Sequence, residues 1–177
     1  MATKSPVPWK PAQPPQYGAT ETYSENIIGA VAFYMYDLEI IASTANPDFP
    51  RVVAPSNSPY IIATDEDFEI KVKIKFNDTP LTRLLLCLGA KVEVNFCAEG
   101  CGYKATERDL IAYIKTKKDV FEYEVAYKGT PDSAGLTEGF YQIAAVANIG
   151  PCDHPCAQFL FGAGYLAKVY LQVYEAF

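Results

Sequence analysis

Residues 67–77 read Asp-Phe-Glu-Ile-Lys-Val-Lys-Ile-Lys-Phe-Asn, an unbroken alternation of apolar and charged side chains. Successive side chains of an extended chain point to opposite faces. Phe68, Ile70, Val72, Ile74 and Phe76 therefore share one apolar face, and Glu69, Lys71, Lys73 and Lys75 share a charged one. One face demands a core and the other prefers water, as in a sheet covered on a single side.

Similar stretches flank this one. Downstream, Asn77, Asp78, Thr79 and Pro80 make a turn. Leu84 to Leu88 is an apolar run ended by Gly89, readable as a buried strand or one turn of helix, with Cys87 as a small buried hydrophobe. Val92, Val94 and Phe96 then alternate with Lys91, Glu93 and Asn95. A glycine-containing loop is expected over 98–107, and strands over 109–116, 120–128, 140–149 and 164–175. In the last of these, Tyr165, Ala167, Val169, Leu171 and Val173 are read as the core face, and Leu166, Lys168, Tyr170, Gln172 and Tyr174 as the other. Upstream, residues 60–63 form a short strand, 43–59 a proline-rich loop, and 28–42 a first strand. Val31, Phe33 and Met35 lie on one side of that first strand and Tyr34, Tyr36, Leu38 and Ile40 on the other. With apolar residues on both sides, it is read as covered twice or packed on a partner.

Leu136, Gly139 and Tyr141 stand at the spacing L-x-x-G-x-Y immediately before the 140–149 strand. This resembles the tyrosine corner of immunoglobulin-like sandwiches, where the hydroxyl ties back to the backbone upstream. The fold expected is all-β: an immunoglobulin-like antiparallel β-sandwich of about eight or nine strands with an extended N-terminal arm. The arm is placed at residues 1–26 and the sandwich domain at 27–177. The arm carries Pro6, Pro8, Pro11, Pro14 and Pro15, a composition suited to polyproline-like backbone and unable to build a core. It also holds Trp9, the single tryptophan of the chain, and Tyr17.

Composition narrows the function. Only 20% of residues are charged while 14% are aromatic, which leaves little charge to cover the outside and favours contact with another subunit. A formal net charge of −6 argues against a nucleic-acid footprint, and the Lys71, Lys73, Lys75 stripe reads as a solvated face. No run has the length of a membrane-spanning helix, so no membrane insertion is expected. No secretory signal is visible at the N-terminus.

The five cysteines are Cys87, Cys97, Cys101, Cys152 and Cys156, and the last four form two C-x3-C pairs at expected strand ends. Should those loops gather at one end, two disulfides could pin them, or one zinc could take four thiolates with His154 as a further ligand; free thiols are the third state open to them. Disulfide is the simpler closure, since zinc knuckles more often place two residues between cysteines. No cofactor is expected beyond that zinc alternative. Localisation stays open; oxidised cysteine pairs would point to an extracellular surface or a virion.

Catalytic patterns are sparse. His154 is the only histidine, and it sits between candidate disulfides rather than beside an orienting acid. Asp65, Glu66, Asp67, Asp132 and Glu138 read as turn and solubility residues. Phosphate loop, dinucleotide fingerprint and H-E-x-x-H are all missing. The expectation is a non-enzymatic subunit of a larger assembly (filament, shell, virion or surface appendage), partnered by copies of itself through the arm and edge strands. Trp9, Tyr17, Tyr34, Tyr36, Tyr170 and Tyr174 are its candidate contacts. The alternative is a monomeric binding module that presents cysteine-pinned loops, with Tyr103 and Phe159, to a carbohydrate, protein or metal ligand.

Overall fold

The computed structural model describes residues 31–42, 60–152 and 162–176, the side chains of Pro151, Cys152 and Lys168 excepted. The expected arm, the 43–59 loop, His154, Cys156 and Phe159 lie outside the described residues. The rest is an immunoglobulin-like β-sandwich. Its strands are β1 (Phe33–Ala42), β2 (Ile61–Ala63), β3 (Phe68–Phe76), β4 (Ala90–Cys101), β5 (Arg108–Lys115), β6 (Glu122–Gly129), β7 (Gly139–Cys152) and β8 (Gly162–Tyr174). A smaller sheet has the order β1-β3-β6, and a larger one β2-β8-β7-β4-β5. All ladders are antiparallel except β2 with β8, which is parallel. β1 and β2 thus lie in different sheets, and the chain crosses from one sheet to the other between β2 and β3, β3 and β4, β5 and β6, and β6 and β7. That is the Greek-key wiring of the immunoglobulin architecture.

The core lies between the sheets. Phe68, Ile70, Val72, Ile74 and Phe76 of β3 meet Val92, Val94 and Phe96 of β4, Tyr141, Ile143, Ala145 and Ala147 of β7, and Leu171 and Val173 of β8, all buried. Tyr141 forms a tyrosine corner. Its hydroxyl donates to the Thr137 carbonyl at 2.7 Å and accepts from the Thr106 amide at 3.3 Å. Gly139 is required beside it, because a Cβ there would come within 2.6 Å of the Ala105 Cβ. Leu136 is buried under the same corner.

Several local readings change in the fold. Leu84 to Leu88 belongs to a helix, α1 (Pro80–Cys87), capped by the Thr79 side chain, which accepts from the Thr82 amide at 3.2 Å. Proline at its first position suits a helix start, and Gly89, at φ 73°, lies just past its end. Helical period buries Thr82, Leu85 and Leu86 and turns Cys87 to solvent, so Cys87 is no core residue. A single-turn helix, α2 (Pro131–Ala134), occupies the turn between β6 and β7.

The two-sided apolar look of β1 comes from a bulge. Tyr36 pairs with Lys73 but Glu39 with Lys71, so two residues of β1 oppose Val72, and Asp37 takes φ 50°. The extra residue shifts the alternation. Phe33 and Met35 before it and Leu38, Ile40 and Ala42 after it all pack on the core, while Tyr34 and Ile41 face outward. The same happens in β8, where Ile143 pairs with Val169 but Ala144 with Ala167. Lys168 is the additional residue. Leu166 consequently packs against the core and Tyr165 is exposed, the reverse of strict alternation. The expected 98–107 loop is shorter, because β4 runs on through Cys101.

Candidate interaction surface

The two outer faces of the sandwich differ in chemistry. On the smaller sheet, charged residues of β3 meet opposite charges across both ladders. Lys71 pairs with Glu124 at 3.3 Å, Lys75 with Glu122 at 3.5 Å, Lys128 with Glu69 at 3.3 Å and Lys73 with Asp37 at 3.1 Å. The Tyr36 hydroxyl donates to Glu122. That bond to a carboxylate, reinforced by its charge, pushes the Tyr36 phenol up to about 12 and holds the Glu122 carboxyl below its usual range. The bond from Lys73 to Asp37 likewise raises the Lys73 ammonium. Exposed pairs of this kind contribute little stability each, but they leave the face well solvated and its charges matched.

The larger sheet carries the Lys91–Glu93 pair and the charges of Asp109 and Lys115 on its outer face, and between them presents aromatic and aliphatic side chains. The ladders align the odd residues of β4 and β5 with the even residues of β7 on its outer side. Ile111 is 56% exposed, Tyr113 64%, Phe140 43%, Tyr165 67% and Tyr170 47%, all on this face. Phe140 and Tyr170 stack with ring centroids 5.4 Å apart. Asn95 sits in the middle strand of this region, between Ile111 of β5 and Val146 of β7. Its side-chain oxygen is buried and lacks a hydrogen-bond partner among the described residues. At one edge, the Lys91 ammonium lies 4.9 Å from the Tyr113 ring centre.

The sequence-selected residues fall unevenly across these surfaces. Tyr170 is exposed on the larger sheet and Tyr34 on the smaller, whereas Tyr36 is engaged with Glu122 and Tyr174 is half-buried at the end of β8. Trp9 and Tyr17 lie outside the described residues. Ile111, Tyr113 and Phe140 are not singled out in the sequence, and Tyr165 is read there as a core residue although it is exposed. The first two belong to an alternating strand whose outward face was apolar, and that was the available signal.

Among the described residues the cysteines lie apart from one another. Cys97 and Cys101 are both on β4, four residues apart on its outer face, hence ~13 Å along the strand and beyond disulfide reach of one another. Cys152 is the last residue of β7 and pairs with Ala90, at the opposite end of β4 from Cys101. That separates Cys152 from Cys97 by ~23 Å. The register thus holds Cys97 and Cys101 apart from the backbone of Cys152, while Cys156 lies outside the described residues. Cys87, Cys97 and Cys101 are free thiols. Burial, then the neighbouring Asp109 carboxylate, pushes the Cys97 thiol up. Among the described residues, no group of three or more His, Cys, Asp or Glu side chains is arranged to hold a metal ion. Nor is any described helix long and apolar enough to cross a membrane.

No known protein family matches the chain, and no curated protein does. Among solved structures, it is similar to AggA, the major subunit of aggregative adherence fimbriae type I from Escherichia coli. The identity is 10% and the TM-score 0.38, with 86% of this chain and 100% of that chain covered.

Proposed function

We propose that this protein is a non-enzymatic structural subunit that assembles with copies of itself. The observation that carries the reading is the contrast between the outer faces. One is a lattice of matched charges, and the other exposes Ile111, Tyr113, Phe140, Tyr165 and Tyr170. Water penalises exposed apolar surface by roughly 25 cal/mol per Å², and clustered apolar patches commonly mark interaction sites. A filament, shell, virion or surface appendage built from such units would hide this face between subunits. In this reading residues 1–26 extend over a neighbour, where Trp9 and Tyr17 supply anchors that cost little conformational entropy to fix.

The test is the mass of the native particle by light scattering, for the full chain and for a chain lacking residues 1–18. Assembly predicts a multi-subunit particle that becomes smaller on truncation. A full chain that remains monomeric at high concentration refutes the reading. One feature favours a second reading, a module that binds through its loops: Tyr103 is fully exposed between β4 and β5. That reading predicts ligand-dependent stabilisation without any change in particle size.

A further inference from the structure

Four strands of the larger sheet set their outward side chains in rows that cross the sheet. The ladders align Ile111, Asn95, Val146 and Tyr165 in one row, and Asp109, Cys97, Ala144 and Ala167 in the next. The row beyond holds Glu99, Gln142 and Tyr170, with Phe140 stacked on Tyr170. Short side chains thus lie between tall ones. Cys97, Ala144 and Ala167 make the floor of a shallow trough, walled by Ile111 and Tyr165 on one side and by Tyr170 and Phe140 on the other. From the Val146 row to the Gln142 row the trough is ~13 Å wide, and from β5 to β8 it is ~14 Å long. Among the described side chains, these three rows hold two exposed carboxylates, Asp109 and Glu99, and no cation.

The first 18 residues of the chain have the complementary chemistry. They contain two lysines, Lys4 and Lys10, and no acid, and they carry P-x-x-P twice, at Pro8–Pro11 and Pro11–Pro14. A polyproline-like backbone repeats every three residues and advances ~3.1 Å at each. That repeat sets Pro8, Pro11 and Pro14 on one face, Pro6, Trp9, Ala12 and Pro15 on a second, and both lysines on the third. Segments with this pattern dock in grooves lined by aromatic rings, because their backbone is already extended and loses little freedom on binding. Crossing the trough takes about five such residues. From Pro11 to Val31, the first described residue, the chain can reach at most ~70 Å, ample for a neighbouring subunit.

We propose that the Pro8–Pro11 segment of one copy lies in this trough on a second copy, with Trp9 against Tyr165 and Tyr170 and the lysines of the arm directed to Asp109 and Glu99. The inference rests on the self-assembly reading and names the surface on which the arm docks. Outward charges of the smaller sheet are by contrast committed to one another, and Tyr36 to Glu122. An aromatic ring brought to that face would displace matched ion pairs, whereas in the trough it meets other rings.

Trp9 is the single tryptophan, so tryptophan emission of the full chain reports on the arm alone. In the assembled particle this emission should be blue-shifted and shielded from acrylamide, and dilution to the monomer should move it to the red. Tyr170→Lys and Glu99→Lys should each weaken the contact by roughly tenfold or more, giving the red shift at concentrations where the parent stays assembled. Tyr34→Lys, on the smaller sheet, should leave the emission unchanged. All three positions are exposed, so unchanged thermal unfolding would show that each variant is folded. Sedimentation velocity on the same samples gives particle size. An assembled particle whose Trp9 is solvent-exposed, or indifferent to both trough variants, or equally sensitive to Tyr34→Lys, overturns the trough and leaves self-assembly standing. A chain that is monomeric at every concentration overturns both, and blue-shifted emission there would seat the arm on its own body.

Discussion

Replacing Tyr141 by Phe removes a single oxygen from the centre of the fold. The ring stays, so neither cavity nor lost apolar burial enters the comparison. Tyr141 is completely buried, and its hydroxyl donates to the Thr137 carbonyl and accepts from the Thr106 amide. Loss of an average protein hydrogen bond costs about 1 kcal/mol, and the hydroxyl makes two, to the half-buried Thr106 and the exposed Thr137. The Thr137 hydroxyl lies 3.2 Å from the tyrosine oxygen, but it already contacts the Lys104 carbonyl and cannot replace both bonds. The expected destabilisation is therefore about 2 kcal/mol, which for a chain of this length lowers Tm by roughly 4–8 °C. Urea unfolding should show a lower midpoint at unchanged slope, since the same surface is exposed on unfolding. Tyr113→Phe, on the exposed face, is the control and should stay within about 0.5 kcal/mol of the parent. A Tyr141→Phe variant as stable as that control would refute the corner as a stabilising element.

Two further outcomes follow from the electrostatics and the thiols. Tyr36 should be among the last tyrosines to titrate, since its pKa stands at about 12. Because this folded value is raised, the contribution is complete below the unfolded value near 10 and is lost as pH rises from there through the folded one. The low Glu122 carboxyl works in the opposite sense: its contribution is present above the unfolded carboxyl pKa and is lost on acidification. Spectroscopic phenolate titration of Glu122→Gln should show one tyrosine moving down towards the ordinary value; an unchanged titration would contradict the bond. Native thiol labelling followed by peptide mass spectrometry should find Cys87 and Cys101 modified first. Cys97 should lag, because burial and Asp109 disfavour its thiolate, and Asp109→Asn should shorten the lag. Equal rates at all three would count against that environment.

Strand identity and the inner face of β3 and β4 were legible in the sequence because alternation is a local property. Each residue there reports its own side of the pleat, whatever strand lies beside it. The tyrosine spacing before β7 likewise sits within a few residues of chain. What only the tertiary structure decided is where that alternation breaks and what lies across it. The bulges at Asp37 and Lys168 rephase β1 and β8, since the partner strands β3 and β7 set the register there, and this exposes Tyr165 and buries Leu166. An apolar run such as Leu84 to Leu88 suits helix and strand equally until the Thr79 cap and the crossing to β4 select the helix. The separation of Cys101 from the backbone of Cys152 depends on pairings between residues distant in the chain. Periodicity encodes which face a side chain takes; its neighbour across the ladder is settled only when the sheets pack.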